Sequence, residues 1–238
     1  MSRKRQTEYR LLKHDPYPLW LFSGFATFWV WLAIAPHYRS DWLLENVLVF
    51  AAIPVLGWIW YRGGVSRLAW GSTFLFLAFH AVGAHYTYSD VPYDQWWQAL
   101  FGFSLDRSLG FERNQYDRWV HFLYGLLLLP LVAELMERLF PLDSFLRRFI
   151  PVLMIMSHAA LYELIEWFAA EVFGGELGQT YLGTQGDVWD AQKDMFLALL
   201  GALLASILTL IIGKANAAKT YRLSKKHKGK NKSARSLG

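Results

Sequence analysis

Residues 148–173 read RFIPVLMIMSHAALYELIEWFAAEVF. About 20 predominantly apolar residues suffice to carry a helix across the ~30 Å hydrocarbon core of a bilayer, and this stretch exceeds that. It also places Glu163 and Glu166 one helical turn apart, away from either end of the run. An ionisable group at membrane depth is costly, by several kcal/mol or more, and by default marks a functional site. The apolar run therefore decides the fold, and its two acids point to where the protein works.

Five further apolar runs lie outside it, at roughly 17–36, 42–61, 66–86, 117–140 and 189–213. The expected fold is all-α: a polytopic bundle of about six transmembrane helices over 17–213, with an N-terminal segment 1–16 and a basic, disordered tail 214–238. The first run is too long for a cleavable signal peptide and lacks a small-residue cleavage site. Composition agrees, at 54% hydrophobic and 17% aromatic, and the absence of cysteine excludes disulfides and thiol chemistry.

The net charge of +5 alternates by connection rather than forming one patch. Arg3, Lys4, Arg5, Arg10 and Lys13 precede the first run; Arg62 and Arg67 flank the second connection; Arg138, Arg147 and Arg148 flank the fourth. The tail adds Lys225, Lys226, Lys228, Lys230, Lys232 and Arg235. Basic loops stay in the cytoplasm, so both termini are expected inside. A polybasic tail beside a membrane helix favours anionic lipid headgroups; membrane lipids are the expected partners, and no nucleic acid is.

That orientation places the longest connection, about 87–116, outside. Within it Tyr93, Trp96, Trp97, Leu100 and Phe101 follow helical spacing, which predicts a short interfacial helix on the outer surface. A helix packed over the bundle mouth fits the same pattern. Gly174-Gly175 and Gly183-Thr184-Gln185-Gly186 mark a turn-rich outer loop.

At about 1.5 Å of rise per residue, His121 lies about 6 Å inside the fourth run and Asp194 about 10 Å below Asp187. Glu163, Glu166, His80, Asp41 and Glu45 reach comparable depths, all in the outer half of the bilayer. Asp117 and His121 share a helix face, as do Asp190 and Asp194. Carboxylates grouped in low dielectric cannot all stay ionised unless a cation is shared between them; otherwise they hold a proton between them. His121, Glu163, Glu166, Asp190 and Asp194 are thus candidate ligands for a divalent metal, and an oxygen-rich set with imidazole suits Mg, Mn, Zn or Fe. Glu163, Glu166, His121 and Asp194 are the candidate catalytic groups. Structural readings stand beside these. Asp187 suits an N-cap with Asp190 at N3, Asp117 another cap, His158 a packing residue, and Glu134 with Arg138 an interfacial ion pair.

The segments Asn114–Phe122, Tyr162–Trp167 and Leu182–Met195, with Trp42–Glu45 and His85–Tyr88, resemble the YjdF-type bacterial inner-membrane family. That family is a domain of unknown function, so the resemblance implies a bacterial inner-membrane location and no activity. Asp-Arg-x-x-His-Phe, Tyr-Glu-x-x-Glu and Asp-x-x-x-Asp-Met are more distantly similar to the VanZ-like membrane proteins. Asp117, Arg118, Tyr162, Trp167, Gln185 and Asp187, from these segments, are the candidate substrate-binding set. Three functions compete: a site, metal-dependent or not, acting on or binding a lipid-linked or envelope substrate; a polar cluster that only locks the helices; and a transporter for a cation or small solute.

Overall fold

The computed structural model describes residues 15–140, 143, 145–173, 175, 182 and 184–235, the last 23 of these by backbone only. Among them the chain is helical and has no strand. The helices are α1 (Tyr17–Ala33), α2 (Arg39–Arg62), α3 (Arg67–Tyr86), α4 (Tyr93–Phe101), α5 (Leu105–Leu109), α6 (Tyr116–Leu139), α7 (Leu146–Phe173) and α8 (Asp190–Arg235).

Five of them, α2, α3, α6, α7 and the Asp190–Ile212 part of α8, are long and apolar enough to cross a membrane. That is one fewer than the runs read from the sequence. With 17 residues, α1 is about 25 Å long. It nevertheless runs parallel to α3 along nearly its whole height. Arg67 Nε donates to Asp15 Oδ2 at 2.7 Å at one end, and His85 Nδ1 lies 2.7 Å from the Leu32 carbonyl at the other. Large apolar side chains such as Trp20, Trp31, Trp58, Leu68, Leu164 and Ile211 are exposed all around the bundle. Helices that are apolar on every side, with such residues outward, are what a lipid solvent selects.

The helix ends follow local chemistry. The Ser66 side chain caps α3 by accepting from Ala69 N at 3.1 Å. Glu134 of α6 accepts from Ser66 N at 2.8 Å and from Ser66 Oγ at 2.6 Å, and Arg138 donates to the Gly63 carbonyl at 2.5 Å. Glu134 and Arg138 thus clamp the α2–α3 turn, where the sequence reading paired them with each other. Gly63 closes α2 with φ 71, a conformation that favours glycine. The last helix continues to Arg235, through the segment read from sequence as a disordered tail from 214. Residues 1–14, most of the N-terminal segment, lie outside the described residues, as do 236–238.

Three apolar clusters form among the described residues, one of them of Tyr88, Val91, Tyr116 and Val120 between the turn after α3 and the start of α6. Phe25, Trp70, Phe74 and Leu77 join α1 to α3, and Leu129, Val152, Ile155 and Ala202 join α6, α7 and α8. Between α6 and α8 the backbones nearly touch. A Cβ on Gly125 would fall 1.9 Å from the Ala198 carbonyl oxygen, and one on Gly201 would fall 2.0 Å from that of Phe122. Small residues permit such approaches between membrane helices. The short helix α4 forms as expected, with no buried residue and with Trp96, Leu100 and Phe101 exposed.

Candidate functional site

One end of the bundle gathers the C-termini of α3 and α7 with the N-termini of α2, α6 and α8. Helical period places Asp117 and His121 on one face of α6 and Asp194 on the facing side of α8, one turn above the Gly125–Ala198 approach. That approach lets two short side chains meet across the helices. One oxygen from each aspartate and one ring nitrogen of His121 lie within 4.8 Å of one another. His121 Nε2 is 3.6 Å from Asp117 Oδ1 and 3.7 Å from Glu163 Oε1, which reaches in from α7. The His121 ring also packs edge-on against Tyr162.

His121 and Asp194 are buried, and Asp117 and Glu163 nearly so. Asp194 Oδ1 and Glu163 Oε1 are shielded from solvent without a hydrogen-bond partner. Leaving such a group unsatisfied costs about 1–3 kcal/mol, more if it is charged. Donors that share a metal at about 2.1 Å each sit roughly 3–3.5 Å apart, so small side-chain rotations would close this group onto one ion. Two aspartates, an imidazole and a glutamate fit a divalent cation in number and in chemistry.

A second polar layer lies on the α2–α3 side. Glu45 is buried and accepts from Tyr162 Oη at 3.4 Å, and Glu166 lies beside both Glu45 and Glu163. His80 Nε2 is 3.2 Å from the Glu45 carbonyl, and its Nδ1 meets the Tyr88 hydroxyl. Tyr88 reaches inward because the chain turns sharply after α3, with Thr87 and Tyr88 at φ 56 and 53. Its ring lies on Gly83, where a Cβ would come within 2.6 Å. Asp41, also fully buried, leaves Oδ1 without a partner.

Two arginines close the rim. Arg118 pairs with Asp187 and, at 3.1 Å, with Asp190. Arg113 pairs with Asp190 at 2.7 Å and also donates to the Thr184 carbonyl. Gln185 and the Asn114 backbone exchange two hydrogen bonds, each 3.1 Å. The Asp187 carboxyl lies outside the spans and is held well below the usual carboxylate range. Lys193 Nζ at 2.5 Å is the largest cause, followed by the Trp189 N–H and then Arg118.

The sequence-derived residues thus separate into three groups. His121, Glu163 and Asp194 come together, joined by Asp117, which the sequence reading gave to substrate rather than to metal. Glu166 and Tyr162 stand behind them toward Glu45. Asp190, expected among the metal ligands, is instead engaged by the two arginines. Arg118, Asp187 and Gln185 form a clasp at the rim, and α8 begins at Asp190, so Asp187 precedes the helix in a turn to Trp189 N rather than capping it. Trp167 is 56% exposed on the outer face of α7, away from the group. The sequence marks Asp41 and Glu45 by their depth without selecting them, and gives no sign of Arg113. Acids in the first two turns of an otherwise apolar helix, Asp41 and then Glu45, are the available signal for these two.

Beneath the cluster lies a cavity of about 470 Å³. Asp117, His121 and Tyr162 line its upper end; the rest of the wall is mostly apolar, interrupted by Thr73, His80, Tyr88, Tyr124 and His158.

Residues 17–215 match the family model described as "Predicted membrane protein (DUF2238)". The chain is 35% identical over 179 residues to the inner membrane protein YjdF of Escherichia coli (strain K12), covering 75% of this chain and 81% of that protein. No solved structure matches. These findings carry the YjdF-type resemblance and do not extend to the VanZ-like proteins.

Proposed function

The chain belongs to the DUF2238 family of predicted membrane proteins, and we propose that it holds a divalent-metal-dependent site that binds and acts on a lipid-linked or envelope substrate in the outer half of the membrane. The observation that carries this reading is the meeting of Asp117, His121 and Asp194, with Glu163 beside them and two carboxylate oxygens left without partners. A bound divalent ion there would polarise a substrate oxygen or lower the pKa of a coordinated water. Asp117, His121 and Asp194 would hold the ion. Glu163, 3.7 Å from His121 and hydrogen-bonded to Glu166, would accept a proton. The clasp formed by Arg113 and Arg118 fixes the N-terminus of α8 and so the height of Asp194.

Basic residues at the opposite end of α2, α3, α6 and α7 favour an orientation with the site facing outward and both termini cytoplasmic. The basic tail then lies against anionic headgroups of the inner leaflet. A purely structural cluster fits less well, because a lock between helices satisfies its own polar groups, whereas Asp194 and Glu163 each leave one carboxylate oxygen without a hydrogen bond. Transport fits less well too, because no carboxylate lines the cavity below Asp117, and past Thr73, Tyr124 and His158 it ends on Leu56, Leu128 and Leu131.

Total metal analysis of the purified protein tests the reading. The expected result is about one equivalent of a divalent metal in the wild type and a large loss in Asp194→Ala and His121→Ala. A metal-free wild type that also fails to take up Zn²⁺ or Mn²⁺ in titration would sink it.

A further inference from the structure

We infer that the cavity below the carboxylate–histidine cluster receives one hydrocarbon chain of a membrane lipid, admitted sideways between α2 and α7, so that the substrate is a chain-bearing amphiphile with its polar group at Asp117 and His121. The chain site stands on geometry alone; its assignment to the substrate rests on the function proposed above.

The opening is visible in side chains that line the cavity and are exposed as well. Leu48 and Val55 of α2 are 37% and 54% exposed, and Leu161 and Ile165 of α7 are 54% and 39% exposed, yet all four face the cavity. The main packing of α2 is against α3, and that of α7 is against α6 and α8, so the two helices leave a gap between them. Tyr162 bridges that gap near its top through its hydrogen bond to Glu45. The α2 and α7 side chains lining the gap below this bridge are apolar apart from His158, and both helices have bilayer length. What stands outside such an opening is acyl chain.

Size selects the occupant. Along α6 the cavity extends from Asp117 to Leu131, which is about 21 Å at the helical rise. That exceeds the roughly 15 Å hydrocarbon depth of one leaflet. With a methylene taking about the ~30 Å³ of a liquid water, 470 Å³ has room for around fifteen carbons. A helix from a neighbouring protein, some 10 Å across, does not fit. A small polar solute would leave most of the apolar wall without contacts. A lipid whose headgroup sits at the cluster and whose chain points down the cavity matches both ends at once.

The test is photolabelling of the full-length protein in phosphatidylcholine vesicles doped with a phospholipid that carries a diazirine on its acyl chain, with the labelled peptides mapped by mass spectrometry. Expected are adducts at the inward residues Leu128 and Leu131. Ala52→Phe, which fills the cavity from α2, should reduce them at least fivefold while leaving adducts at the outward Leu164 unchanged. Val55→Trp at the opening gives a second variant should Ala52→Phe fail to fold, and the wild-type map decides by itself if both fail. Adducts confined to outward residues in the wild type would overturn the inference, as would undiminished labelling of Leu128 and Leu131 in a folded, filled variant. Metal content measured on the same samples keeps the two claims apart. A labelled cavity without metal leaves the chain site standing and removes the proposed function; metal without inward labelling does the reverse.

Discussion

Replacing Gly125 by alanine adds one methyl group at the point where α6 and α8 come closest. Its Cβ would lie 1.9 Å from the Ala198 carbonyl oxygen and 2.7 Å from Ala202 N, where ordinary contact begins near 3.4 Å. Both neighbours are helix backbone, so no side chain can rotate aside, and the helices must part locally by about 1.5 Å. Overpacking of this kind costs about 1–3 kcal/mol, which for a chain of this size lowers the melting temperature by roughly 3–10 °C. The consequence for the site is larger than that for stability. His121 is one turn from Gly125 and Asp194 one turn from Ala198, so the separation is passed directly to the donor group. Metal–ligand distances tolerate about ±0.2 Å, and a shift several times larger should weaken divalent-metal affinity at least tenfold. The assay is thermal unfolding in detergent together with Zn²⁺ titration, with Gly57→Ala as the control because nothing lies within 4 Å of a Cβ there. Gly201→Ala, whose Cβ meets the Phe122 carbonyl at 2.0 Å, should reproduce the effect from the other helix. A Gly125→Ala protein that melts with the control and binds metal like wild type would refute the close approach and the argument that it sets the site.

Three other outcomes follow from particular contacts. Gly83→Ala drives a Cβ to within 2.6 Å of the Tyr88 ring; it should expel Tyr88, break its bond to His80 and lower the melting temperature more than Tyr88→Phe does. Ser66→Ala removes both the α3 cap and a partner of Glu134, and should cost about 1 kcal/mol for the cap alone, read as a lowered midpoint of unfolding. The Asp187 carboxyl is depressed when folded, so its contribution is complete above the ordinary carboxylate pKa near 4 and is lost only as pH falls below that toward its lowered value. Amide exchange of residues 184–189, corrected for the intrinsic rate, should show protection that is flat between pH 5 and 8 and falls in stronger acid, whereas Asp187→Asn should lose protection throughout.

Much of the site could be read from the chain because membrane burial makes each polar residue conspicuous. Glu163, His121 and Asp194 stand out as charges in apolar helices, and the helical rise alone brings them to similar depth. Direction around the helix axis was harder to read. Trp167 is next to Glu166 in sequence yet faces outward, since 100° of rotation separates neighbours on a helix. Asp190 and Asp194 share a face by spacing, but Arg113 and Arg118 claim the first and leave the second open. Those arginines come from the segment entering α6, more than 70 residues earlier, and no local pattern records that they meet α8.

An all-helical membrane protein, five of its six apolar runs as spans, and the end of them that holds the ionisable groups are all legible in the chain alone. These properties follow from length, hydropathy and helical rise, which are local. Only the tertiary structure decided that Asp117, rather than Asp190, completes the group with His121 and Asp194, and that an apolar cavity opens beneath it between α2 and α7. Both depend on how closely the backbones approach. Gly125 and Gly201 bring α6 and α8 into contact, while the partners chosen by α2 and α7 hold those two helices apart, and interhelical distance is written in pairs of residues far apart in the chain.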